Sequence, residues 1–171
     1  LGKGAEKETD FMIGRWDKDS ILGQPLLVKI TKDTKYINIY YKTTEKTEAL
    51  DWLSPELTAG KVYPYMYTQG EAILTRSWIP LQDSPANRLT YSAKVKVPKD
   101  LMPVMSAKNP TKKNEKGIYE FEMNQPIPCY LIALAVGNLS YRKLGSTCGV
   151  YSEPELINSC AYEFGDLSKM I

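Results

Sequence analysis

Residues 87–97 alternate between apolar and polar positions. Leu89, Tyr91, Ala93, Val95 and Val97 fall on one side, and Arg88, Thr90, Ser92, Lys94 and Lys96 on the other. A period of two places successive side chains on opposite faces of a strand, so this segment predicts a strand with one dry and one wet face, closed by Pro98. Residues 26–30 form a shorter apolar run, and residues 36–43 alternate again. With Asp33 in the intervening residues 31–35, the two predict a β-hairpin. Residues 102–107, 118–123, 130–142 and 147–151 also read as strands, and the apolar run from Cys129 to Val136 has the length of a buried one. Residues 44–60 lose the period and carry Ser54-Pro55-Glu56, a turn or the start of a one-turn helix. Between strands, residues 108–117 hold four Lys together with Asn, Pro and Gly, the composition of an exposed hairpin tip.

Only the last part of the chain has helical spacing. Ser152 can cap, Pro154 suits a first turn, Glu153 and Glu155 suit its positive end, and Gly165 offers a stop. Leu156, Ile157, Cys160, Ala161 and Phe164 then make a stripe that can pack on a sheet. The first ten residues, rich in Gly, Lys and Glu, read as a solvated lead-in. The expectation is a mainly β, sandwich-like single domain over residues 1–171, with one C-terminal helix.

Composition narrows what such a domain can do. Twelve Tyr against three Phe favour strands with one hydrated face. Twenty-two Lys and Arg against twenty Asp and Glu leave a net charge of +2, too balanced for nucleic acid or an acidic membrane as partner. No apolar run approaches the ~20 residues needed to span a bilayer. The three Cys are widely spaced and read as buried small hydrophobes. There is no His, which removes Ser/His and Cys/His catalysis and leaves no ordinary zinc ligand set. Trp16, Trp52 and Trp78 lie in unrelated local patterns and do not predict a carbohydrate platform. Leu1 is no initiator and no signal-peptide pattern follows it. The compartment stays open, with the cytoplasm the preferred expectation.

One segment carries candidate chemistry. Tyr67-Thr68-Gln69-Gly70-Glu71-Ala72 is followed, eight residues after Ala72, by Pro80-Leu81-Gln82-Asp83-Ser84-Pro85. Residues two apart in a strand share a face, so Gln69 and Glu71 are expected to point into one cleft, with Gly70 allowing another surface to approach. A carboxylate there could hold an ammonium through charge-assisted bonds, about twice as strong as neutral ones. Tyr65 and Tyr67 share that face by the same period and are expected to pack. Asp83 reads as a turn residue bonding its own backbone, and Arg76 as a structural partner for a carboxylate under the loop.

These residues and their surroundings resemble the N-terminal domain of gluzincin-class zinc aminopeptidases, closest to the bifunctional leukotriene hydrolase/aminopeptidase branch. Three blocks carry the resemblance: residues 49–61 around Asp51-Trp52-Leu53-Ser54-Pro55; residues 64–85 including Arg76 and Gln82-Asp83-Ser84-Pro85; and Ile127-Pro128-Cys129-Tyr130 through Gly137, with Ser152-Glu153 and Ala161-Tyr162-Glu163-Phe164 downstream. The resemblance implies a saddle-shaped β assembly lying across a catalytic domain, with further strands expected before Leu1. The catalytic domain, bearing Gly-x-Met-Glu-Asn and a zinc helix, is expected soon after Ile171.

By position, the resemblance assigns Glu71 to the ammonium of a peptide's free amino end, Gln69 to the neighbouring specificity pocket and Ala72 to its wall. The leukotriene hydrolase carries Gln where Glu71 stands, whereas many plain aminopeptidases carry Glu, which favours peptidase activity over epoxide hydrolysis. Zinc belongs to the parent enzyme, and this chain alone is expected to bind none and to be inactive. The expected partners are the peptide amino terminus and the chain's own catalytic domain. Self-association through an exposed strand edge is also expected once those covers are missing. The alternative is a stand-alone β-sandwich interaction module with no enzymatic role.

Overall fold

The computed structural model describes residues 7–16, 18 and 21–170. Its strands are β1 (Phe11–Ile13), β2 (Leu26–Val28), β3 (Leu50–Leu53), β4 (Tyr65–Thr68), β5 (Arg88–Lys96), β6 (Met102–Met105), β7 (Ile118–Pro128), β8 (Leu134–Gly137), β9 (Ser140–Lys143) and β10 (Gly149–Ser152). Short 3-10 turns cover Pro55–Leu57, Thr75–Ser77 and Cys129–Leu131, and the helices are α1 (Ile157–Glu163) and α2 (Leu167–Met170). The protein is mainly β, and it divides into two compact units, Leu1–Lys42 and Thr43–Ile171.

In the first unit, the expected hairpin between residues 26–30 and 36–43 does not form. β2 pairs antiparallel with β1 instead, Phe11 opposite Val28 and Ile13 opposite Leu26. The turn itself is present, with the Thr34 N–H bonded to the Thr31 carbonyl at 3.1 Å. Residues 36–43 carry no regular structure. Tyr36 and Tyr40 are 77% and 86% exposed, so their alternation covers no apolar face, and it is burial against neighbours that stabilises a strand. Of the expected lead-in, residues 7–10 are exposed, and residues 1–6 lie outside the described residues.

In the second unit, β3, β4, β8 and β6 form an antiparallel sheet in that order. β5 and β7 form a long two-stranded ribbon, from Arg88 opposite Pro128 to Lys96 opposite Ile118, with an irregularity between Leu89 and Tyr91. The main core lies between ribbon and sheet: Met102 and Met105 from β6, Tyr119 and Phe121 from β7, with Ile132 and Leu139. Leu89, Tyr91, Ala93, Val95 and Val97 all pack on it, so the dry face of β5 is the one that its alternation predicts. On the wet face Lys94 meets Glu120, opposite it in register, at 3.1 Å. Both side chains are largely exposed, so this pair adds at most about 1 kcal/mol.

Several boundaries differ from the sequence reading. β3 forms where residues 44–60 showed no period, because pairing with β4 (Trp52 opposite Met66) supplies what local pattern lacks. The apolar run starting at Cys129 is not one strand: a 3-10 turn precedes β8, and β9 follows a break after Gly137. Residues 108–117 are not a hairpin tip, since β6 and β7 belong to different sheets and the loop crosses between them. There Lys113 donates to the side-chain oxygen of Asn138. At the end, Ser152 closes β10 instead of capping, and the helix starts at Ile157. The Glu153 carboxylate accepts the Ala59 N–H at 2.9 Å, which holds it off the helix terminus. α1 packs on the β9–β10 hairpin. Among the described residues no helix is long and apolar enough to cross a membrane.

Two substitutions test this packing. Met102 is fully buried, so Met102→Ala should cost about 2–5 kcal/mol in a denaturant titration, and a change under ~1 kcal/mol would misplace the core. Gly117 has φ of +64°, and a Cβ there would lie 2.1 Å from the Val97 carbonyl oxygen. Gly117→Ala should therefore destabilise by more than ~1 kcal/mol in the same titration.

Candidate functional site

β4 delivers the candidate segment and then stops. The Thr68 hydroxyl accepts the Leu134 N–H at 2.9 Å, and the Gln69 N–H bonds to the carbonyl of fully buried Ala49 at 2.9 Å. Beyond this the chain leaves the strand. The Leu74 N–H closes on the Gly70 carbonyl at 2.9 Å, making a turn that runs into the 3-10 turn Thr75–Ser77. Gln69 and Glu71 therefore do not occupy alternate strand positions, and the shared-face argument for them fails. They are brought together by another route: the Gln69 side-chain oxygen accepts the Glu71 N–H at 3.3 Å. Gln69, Glu71 and Ala72 are all exposed, and the Glu71–Ala72 peptide bond is cis.

Gly70 between them is buried. A Cβ there would stand 2.6 Å from the Thr75 hydroxyl and 2.9 Å from the Tyr130 carbonyl oxygen. The surface that approaches this glycine is thus the protein's own backbone at the 3-10 turn Cys129–Leu131, and this close approach ends the strand. Thr75 is fully buried and donates to the Cys129 carbonyl at 3.1 Å. Tyr65 and Tyr67 remain within β4, their ring centres 6.0 Å apart.

Below the turn lies an ion pair. The Asp83 side chain is only 1% exposed and accepts the Arg76 backbone N–H at 2.9 Å, with the Arg76 Nε at 3.6 Å from the same oxygen. The Arg76 guanidinium also donates to the Asp83 carbonyl. Arg76 pairs with a carboxylate under the loop, as expected, but Asp83 bonds across the loop to Arg76 instead of to its own turn. The Cys129 thiol donates to the Gln82 carbonyl at 3.5 Å. Burial, and next the negative charge of Asp83, push its pKa up, so it stays a protonated, unreactive thiol.

The arrangement offers one exposed carboxylate and one amide on a firmly braced turn. It can accept hydrogen bonds from a cation presented by another surface. It holds no activated nucleophile, and among the described residues no three Cys, Asp or Glu side chains converge as metal ligands. Zinc therefore does not fit these described residues. Cys129, Cys148 and Cys160 are free thiols. Trp52 is exposed on β3 and Trp78 packs on the core, so these two form no common platform. Sequence reasoning missed Thr75, Tyr130 and Ala49 as the supports of the turn. The one signal available was a lone hydroxyl after the apolar Ala72-Ile73-Leu74.

Comparison with known proteins agrees with the fold. Residues 5–131 match the Peptidase M1 N-terminal domain. The chain is 40% identical to "Leukotriene A-4 hydrolase" of Xenopus laevis over 175 residues, covering 96% of this chain and 28% of that protein. It is 46% identical to "Aminopeptidase B" of Rattus norvegicus over 113 residues, 66% of this chain and 17% of that one. Among solved structures, native yeast LTA4 hydrolase superposes with a TM-score of 0.82 at 35% identity, covering 95% of this chain and 26% of the yeast one. The chain thus spans about a quarter of the length of relatives such as the Xenopus protein (28%) and the yeast structure (26%). With a family model matching residues 5–131 and relatives aligned across nearly its whole length, the chain belongs to the Peptidase M1 N-terminal domain family, whose members here are leukotriene A-4 hydrolase and aminopeptidases.

Proposed function

We propose that this chain is the recognition domain of a zinc-dependent aminopeptidase, lending Glu71 and Gln69 to a site it shares with a separate catalytic domain. The observation that carries the reading is the exposed Glu71 carboxylate, fixed on a turn by the Gln69 bond and by the buried Thr75 beneath it. An aminopeptidase must distinguish a terminal ammonium from an internal amide, and a carboxylate does this through short charge-assisted bonds. Ala72, exposed beside Glu71, contributes to the wall of the same pocket. Gln69 holds its amide against the Glu71 backbone N–H and faces the first side chain of the substrate.

Hydrolysis itself belongs to the catalytic domain. Zinc there would polarise the scissile carbonyl and activate water. This domain's own part is to bind and orient the amino end, so that the first peptide bond and no later one reaches the metal. The relatives with aminopeptidase names favour a peptide substrate, as does Glu at position 71.

Two measurements follow. In the complete protein, Glu71→Ala should lower kcat/KM for an amino-acid amide by raising its barrier about 2–5 kcal/mol, the cost of removing one partner of a buried charge pair. Wild-type kcat/KM in that variant would remove the role given to Glu71. The second measurement compares the 171-residue chain with the full-length protein for amide hydrolysis and bound zinc. Both properties are expected only in the full-length form, and neither in either form would favour an interaction module without enzymatic role.

A further inference from the structure

We infer that Thr75 is a positioning residue for amino-terminus recognition, its buried hydroxyl setting where Glu71 stands. The inference rests on the reading of Glu71 as the ammonium partner. Three observations carry it. The Thr75 Oγ1 is the donor that ties the turn to the Cys129 carbonyl at 3.1 Å. The same oxygen is the atom that Gly70 rests against, 2.6 Å from where a Cβ would be. Gly70 immediately precedes Glu71, and its carbonyl closes the turn by accepting the Leu74 N–H at 2.9 Å. Between Thr75 and Glu71 there is one tight turn and no side chain at position 70 to take up a displacement. A shift of Thr75 therefore moves the Glu71 backbone.

Apart from the Gln69 side-chain oxygen on the Glu71 N–H, the other braces act elsewhere on the segment. The Gln69 N–H is held by Ala49, and the Arg76 backbone by Asp83. Neither touches residues 70–75 from below, where the 3-10 turn Cys129–Leu131 lies. Replacing the hydroxyl by a methyl of the same shape would remove this tie and leave the Cys129 carbonyl with the Ile132 N–H alone, at 3.0 Å, where both Thr75 and Cys129 are fully buried. Losing the hydrogen bond that joins the two segments lets them draw apart or admits water between them. Either response displaces the carboxylate from an ammonium held by the opposite domain, and a misplacement near 1 Å can cost up to ~100-fold.

The test is a double-mutant cycle in the full-length protein with an amino-acid amide as substrate. Thr75→Val should raise KM by roughly ten- to a hundredfold with kcat far less affected and zinc content unchanged. Thr75→Ser, which restores the donor, should return KM to within about threefold of wild type. In a Glu71→Gln background, Thr75→Val should add nothing, because the group it positions has already lost its charge. If Thr75→Val does not fold, Gly70→Ala displaces the same turn with the hydroxyl intact and should give the same KM signature and the same non-additivity. An unchanged KM in a folded Thr75→Val protein overturns the inference, as do losses that multiply with those of Glu71→Gln. A Glu71→Gln enzyme with wild-type kinetics overturns the recognition reading itself, and this inference with it.

Discussion

A carboxylate withdrawn from water needs partners, and Asp83 is the clearest such group in this domain. Its side chain is 1% exposed, and its Oδ2 meets the Arg76 N–H and guanidinium while Oδ1 is buried without a hydrogen-bond partner among the described residues. Breaking one side of such a pair costs about 3–5 kcal/mol, because the other charge is left desolvated. The pair joins residue 76 to residue 83, so the chain between them must turn back on itself. That closure seats the 3-10 turn Thr75–Ser77 in the interior, and Trp78, Ile79 and Leu81 against the main core. The position of the candidate site is a consequence of this buried pair and of the fully buried Thr75 beside it.

The site is stiff where it meets the domain and open where it faces outward. Below Glu71 backbone and short side-chain bonds to Ala49, Cys129 and Asp83 support the turn, which the Leu74 N–H closes on the Gly70 carbonyl. Above it, Gln69, Glu71 and Ala72 are exposed. Recognition by charge-assisted bonds benefits from this division, since a preorganised carboxylate loses little freedom on binding.

The strongest local patterns were legible in the chain. The dry and wet faces of β5 follow directly from the alternation at residues 88–96, since a period of two leaves no other arrangement for a half-buried strand. The one-turn helix at Pro55–Leu57 and a helix on the stripe of Ile157, Cys160 and Ala161 were equally readable. The short strands were not. β3 has four residues, and its pairing with β4 is decided by contacts outside its own sequence. Residues 36–43 show the opposite error, an alternation that finds no apolar surface to cover.

For the site, the residue types at 69, 71 and 72 and the Arg76 partnership could be named from sequence, because they depend on motif and charge. How Gln69 and Glu71 come together could not. A strand would have aligned them by period, but the close backbone approach of Tyr130 to Gly70 ends the strand first. Sequence alone determined the family, the mainly β character and the identity of the candidate carboxylate, all carried by local order along the chain. Only the tertiary structure decided that the carboxylate stands on a turn, and that Thr75, Ala49 and Cys129 hold it there. Those contacts join residues 20 to 54 positions apart, and no local pattern encodes such distances.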